Sequence, residues 1–201
     1  EGNVYETVKI GDQVWMAENL KTTKYNDDAA IPLVTENDAW IALTEDAYCW
    51  ANNDETTYKD LYGALYNWYA VATEKLCPEG WHVPTDGEFS AMEISLGMTS
   101  EQASGTGWRG IDEGKKLKND TGWKEGKNGT NISGFSALPA GYRAYATGIS
   151  EGLGIITYFW SATFLDENIA VYRMLDENYD QVNRTGTYKR AGKSVRCVKN
   201  Q

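Results

Sequence analysis

The sequence predicts an α+β fold with mostly antiparallel strand pairing. Two observations carry this. Helical apolar spacing is confined to the first half, at Leu61, Leu65, Trp68, Tyr69 and Ala72 and again at Phe89, Met92 and Leu96. The second half breaks into short β-rich runs between turn residues, with no βαβ alternation. A chain of 201 residues suits one domain spanning 1–201.

The elements follow in order. Val4 to Ala17 reads as a hairpin turning at Gly11-Asp12. From Leu20 to Ala47 polar clusters separate single apolar residues, which predicts loops and one short helix. Asp60 to Thr73 is predicted as one helix. A second helix is expected from Asp86 to Leu96, opened by the capping box Thr85-x-x-Glu88 and ended by Gly97. Residues 104–134, rich in Gly, Lys, Asn and Thr, read as a long loop with a short element near Lys115 to Leu117. Strands are expected at Phe135 to Tyr142, Tyr158 to Thr163, Ile169 to Leu175, Asp180 to Thr185 and Ser194 to Val198. The tetrapeptide Leu-Asp-Glu-Asn occurs at 165–168 and 175–178, and marks the two ends of one strand.

Charge narrows the function. Nineteen Lys and Arg face 29 Asp and Glu, a net charge of -10. That field repels phosphate backbones, so no nucleic-acid partner is expected. No apolar run reaches the ~18 residues of a membrane span, so no transmembrane segment is expected. No signal-peptide pattern starts at Glu1, and a chain beginning without Met reads as mature or trimmed.

The aromatic residues are skewed, with 8 Trp and 13 Tyr but 4 Phe. Both favoured types join apolar area to a hydrogen-bonding tip, which suits a binding surface and a Tyr-rich β core about equally. His82 is the single histidine, in the turn Gly80-Trp81-His82-Val83-Pro84, and is expected to be structural. The three cysteines are Cys49, Cys77 and Cys197, so at most one internal disulfide can form. Paired CxxC spacing is missing, and no metal or other cofactor is expected.

Six stretches, taken together, resemble a known family. They are Val14-Trp15-Met16-Ala17-Glu18-Asn19-Leu20, Tyr62-Gly63-Ala64-Leu65-Tyr66-Asn67-Trp68, Cys77-Pro78-Glu79-Gly80-Trp81-His82-Val83-Pro84-Thr85, Gly134-Phe135-Ser136-Ala137-Leu138-Pro139-Ala140-Gly141-Tyr142-Arg143, Phe159-Trp160-Ser161-Ala162-Thr163 and Ser194-Val195-Arg196-Cys197-Val198. In this order they resemble the Fibrobacter succinogenes major paralogous domain, found in exported proteins and lipoproteins of Bacteroidetes. The resemblance implies a C-type-lectin-like fold, with two helices before a twisted antiparallel sheet with long loops. It implies an extracellular or cell-surface location, with lipid anchoring through a segment before Glu1. It also implies a disulfide between Cys77 and Cys197, leaving Cys49 free and buried.

A lectin-like fold exposes one sheet face, here built from residues 142–190. Tyr158, Tyr172, Arg173, Tyr179 and Arg184 are the expected ligand-binding residues, lying partly exposed in one patch. Tyr rings stack on sugars or peptides, and Arg reads carboxylates or carbonyls. The expected function is a monomeric, non-catalytic module for a protein or glycan ligand. Calcium-dependent sugar binding of the usual lectin kind lacks its Glu-Pro-Asn-like and Trp-Asn-Asp motifs. Asn52 to Glu55, Asp166 to Asn168 and Asp176 to Asp180 offer loop oxygens, but also read as solvated turns. A structural or assembly module is the alternative. An enzyme akin to formylglycine-generating oxidases lacks a neighbouring thiol pair for copper.

Overall fold

The computed structural model describes residues 1–201. Strands β1 (Thr7–Ile10) and β2 (Gln13–Met16) form the N-terminal hairpin. Gly11 takes a φ of 60° in its turn, a conformation that suits glycine. Helix α1 (Asn37–Ile41), strand β3 (Tyr48–Trp50) and helix α2 (Glu55–Tyr62) follow. Strand β4 (Ala64–Tyr66) pairs with β3, and helix α3 (Trp68–Ala72) comes next.

The single helix expected over Asp60 to Thr73 is therefore two helices with a strand between. Gly63 has φ 71° and ψ −167°, outside the helical region, and closes α2. A Cβ there would lie 2.7 Å from the Leu20 carbonyl oxygen, so the site needs glycine. Asn67 then caps α3 by accepting from Ala70 N–H. The apolar spacing is real, but it serves three elements in turn.

Strand β5 (Trp81–His82) leads into helix α4 (Asp86–Ser95), with the capping box between Thr85 and Glu88 formed as expected. Helix α5 (Ser100–Ser104) precedes the expected long loop, which holds strand β6 (Gly107–Arg109) and helix α6 (Glu113–Leu117). Then come β7 (Ala140–Arg143), β8 (Ser150–Leu153), β9 (Ile156–Phe164), β10 (Ile169–Asp176), β11 (Val182–Tyr188) and β12 (Val198–Lys199). The fold is α+β, with six short helices rather than two. The repeated Leu-Asp-Glu-Asn does bracket β10. Asp166 accepts from the N–H groups of Asn168 and Ile169, and Asp176 accepts from that of Asn178.

Two predicted strands shrink. Phe135 to Pro139 is irregular, and only Ala140–Arg143 is strand. Ser194 to Cys197 makes only one isolated bridge before β12. Both segments are instead tied by Arg196, whose guanidinium donates to Asn19 Oδ1 and to the carbonyls of Phe135 and Ser136.

The strand orders are β6-β11-β10-β9-β7-β8 in a six-stranded sheet and β1-β2-β12-β5 in a four-stranded one. Within the larger sheet only β7 against β9 is parallel. The closing strand β12 sits between the hairpin and β5, and Cys197 beside it is bonded to Cys77 with Cα atoms 6.0 Å apart. Cys49 is free and buried. Both cysteine expectations hold.

The inner face of the six-stranded sheet packs Phe159, Leu175 and Val182 onto Phe89 and Met92 of α4, with Trp15 and Phe135. The outer face is covered only at one end, where Trp160 meets Tyr66, Trp68 and Val71. The rest of that face is open.

Candidate functional site

Pairing register decides which residues share the open face. Directly opposed residues in a ladder point to the same side. Tyr158 opposes Met174, Met174 opposes Asn183, and Asn183 opposes Trp108. Trp160, Tyr172 and Thr185 form the next row on the same side. Arg173, Phe159 and Arg184 form the row between and point inward.

The three expected tyrosines therefore share one face, and the two expected arginines do not. Tyr158 and Tyr172 are half-buried neighbours, with ring centroids 5.2 Å apart. Tyr142 joins them on β7, 4.8 Å from Tyr158. Gly141 beside it has φ 67°, and a Cβ there would lie 2.4 Å from the Glu151 carbonyl oxygen. Only glycine lets β8 pass this close, which sets Tyr142 in place. Tyr179 lies at the far end of the face, 42% exposed, its ring stacked on Trp108 at 3.9 Å.

Arg173 and Arg184 correct the expected patch. Arg173 is 2% exposed and donates to Glu93, Asp86 and Ser90 of α4. Arg184 donates to both carboxylate oxygens of Asp86. Glu93 also takes two bonds from Arg109. This ladder runs Arg109, Glu93, Arg173, Asp86, Arg184 and clamps α4 to the sheet. Burial by itself would raise the Asp86 carboxyl. The bonds and charges of Arg184 and Arg173 overcome that and hold it at about 2. Arg143, also in the Tyr-rich half, is buried over the Trp40 ring and donates to the Gly148, Val34 and Thr35 carbonyls. The alternation Tyr172-Arg173 carries this split in a period of two, but the sequence does not say which side is wet.

One site residue has no sequence signal. Lys193 lies in the stretch Ala191-Gly192-Lys193-Ser194, where nothing in the sequence marks it as buried. It is 2% exposed. Its Nζ lies 3.7 Å from the Tyr158 centroid, 4.2 Å from Tyr172, 5.2 Å from Trp160 and 5.5 Å from Tyr142. Backbone pairing of Lys193 with Tyr66 holds it there. Desolvation pushes its amine well below the ordinary lysine value, and neither a hydrogen bond nor a carboxylate offsets this. Four π faces provide the counterweight favouring the ammonium. Burial likewise raises the three phenols, Tyr142 up to about 12 with help from Glu151. All three remain neutral hydroxyls at physiological pH. Tyr142 donates to Glu151 at 2.6 Å, while the Tyr158 and Tyr172 hydroxyls have no protein partner.

Other concavities are built differently. His82 borders a cleft of about 450 Å³. Both its ring nitrogens are engaged, one with Asn200 Oδ1 and one with Glu88 Oε1, each at 2.7 Å. Glu88 is itself spent on the capping box. The ring is held between the capped helix and the segment after the closing strand. A second cleft, about 310 Å³, has Arg196 at its floor and Glu6, Glu18 and Asp60 among its lining residues. Lys118 binds the 176–179 turn by donating to the Asp176 and Tyr179 carbonyls. No group of three or more His, Cys, Asp or Glu is arranged to hold a metal ion. No helix is long and apolar enough to cross a membrane.

Comparison with curated proteins and with solved structures returns no match. The family model of the Fibrobacter succinogenes major domain matches residues 8–199. That span takes in the hairpin, both larger sheets and the disulfide, so the chain belongs to the Fibrobacter succinogenes major domain family.

Proposed function

We propose that this domain is a non-catalytic binding module that takes a glycan or protein ligand on the outer face of its six-stranded sheet. One observation carries the reading. Tyr142, Tyr158 and Tyr172 form a continuous half-exposed cluster, with neighbouring centroids 4.8 and 5.2 Å apart. Rigid tyrosines supply contact area at small entropic cost, and two free hydroxyls supply polar contacts. Tyr179 on Trp108 extends the aromatic surface. A C-type-lectin-like assignment is supported by the closing strand lying beside the N-terminal hairpin. The Cys77–Cys197 bond supports a location in an oxidising, cell-surface compartment. The non-catalytic reading draws on the engagement of His82 and the pairing of Asp86 and Glu93 with arginines.

A glycan array tests it. The wild type should give discrete hits that Tyr158→Ala/Tyr172→Ala abolishes without unfolding. Hits retained by that variant would sink the reading. Silence on the array, with one protein captured through the same tyrosines, selects the protein ligand. A second reading, an assembly module, draws on Phe164 and Leu165, which stand 59% and 62% exposed at the β9–β10 tip. Phe164→Ser/Leu165→Ser would then change oligomer size in sedimentation, and an unchanged profile would exclude it.

A further inference from the structure

The tyrosine face has an electrostatic asymmetry. Lys193 Nζ lies beneath it with no hydrogen bond and no carboxylate partner. Lys193 is 2% exposed, closed over by the tyrosine rings. The hydroxyls of Tyr158 and Tyr172, carried on two of the rings around it, have no protein partner. Three donors without a protein partner thus belong to one cluster, while the neighbouring Tyr142 hydroxyl already donates to Glu151. The four rings offset part of the desolvation of the ammonium, and an anion would offset the rest.

Resting on the binding reading above, we propose that the ligand carries a carboxylate that seats over Lys193 between Tyr158 and Tyr172, and that it is an acidic sugar of the uronic-acid class. Charge complementarity gives the carboxylate. The sugar follows from the backbone. The Tyr158 and Tyr172 strands, β9 and β10, are interior strands paired on both sides, so an extended peptide cannot add to them by strand pairing. Recognition there rests on ring faces and hydroxyls, which suit the C–H face and hydroxyls of a pyranose.

The pH dependence has a fixed sign. In the free protein burial lowers the Lys193 amine, and a bound carboxylate raises it again. Carboxylate binding then takes up a proton, and affinity falls as pH rises from the free value through the bound one. The other titratable groups facing Lys193 are Tyr66, Tyr142, Tyr158 and Tyr172, with Glu151 and Asp176 at the margin. Burial raises all four phenols, so they do not titrate between about pH 6 and 9.

The test is calorimetric titration of trigalacturonic acid and of its carboxyl-reduced, neutral counterpart. The wild type should prefer the acid by about tenfold or more, the scale of one charge-assisted hydrogen bond. Lys193→Met, which keeps an apolar chain under the rings, should abolish that preference. The wild-type preference should also shrink as pH is raised, which needs no variant. Equal affinity for the two trisaccharides, or a preference that Lys193→Met leaves intact, overturns the proposal while the tyrosine face stands. A polyglutamate peptide that binds where the acid does not overturns the sugar class. Binding insensitive to Tyr158→Ala/Tyr172→Ala overturns the face itself.

Discussion

Glu93→Gln should destabilise the domain far more than any exposed charge change. Glu93 is wholly buried and accepts from Arg109 at 2.7 and 3.1 Å and from Arg173 at 2.7 Å. Both guanidiniums are nearly sealed, 4% and 2% exposed. Glutamine has the same shape but no charge, and it turns a donor toward two cations. Arg173 keeps Asp86, so Arg109 becomes the orphan. Removing one partner of a buried pair costs about 3–5 kcal/mol. For a chain of this size that is a fall in Tm of about 6–20 °C. Circular dichroism melts and urea titrations at pH 7 read it directly. Asp86→Asn should cost less, about 2 kcal/mol from a carboxyl held at about 2 instead of 3.8. A Glu93→Gln protein within about 1 kcal/mol of wild type would refute the clamp, and with it the inward assignment of the arginines.

Other expectations are simpler to check. Because the Asp86 carboxyl is depressed, its contribution is full above 3.8 and is lost as pH falls through about 2, so Asp86→Asn should flatten acid unfolding over that window. Cys77→Ser/Cys197→Ser opens a link spanning 120 residues and should cost up to about 5 kcal/mol in urea, less any native strain. Burial holds the Cys49 thiol up at about 11, so a thiol reagent should find no cysteine in the native protein and one after unreduced unfolding. Lys118 already bridges the 176–179 turn, so melts in calcium and in chelator should coincide.

The sequence made the local signals legible and left the tertiary ones hidden. The capping box at Thr85, the turn at Gly11 and the two Asp-led turns around β10 are written in adjacent residues, and each forms. Helix spacing across Leu61 to Ala72 misled, because Gly63 needs a carbonyl 43 residues away to show why it cannot be helical. The tyrosines were visible as a crowd, but their common face depends on register across β9, β10 and β11. Arg173 and Arg184 looked like ligand readers because their partners, Asp86 and Glu93, stand about 80–100 positions earlier and carry no pairing signal. Lys193 was invisible for the same reason, since nothing beside it in sequence announces an aromatic cage.

Tyrosine-ring chemical-shift mapping tests the central claim most directly. Protein labelled in its tyrosine rings is titrated with the best array ligand. The account predicts that resonances of Tyr142, Tyr158 and Tyr172 move together and saturate at one affinity. Shifts confined to tyrosines elsewhere, such as Tyr58 and Tyr62 on α2, with these three unmoved, would contradict it.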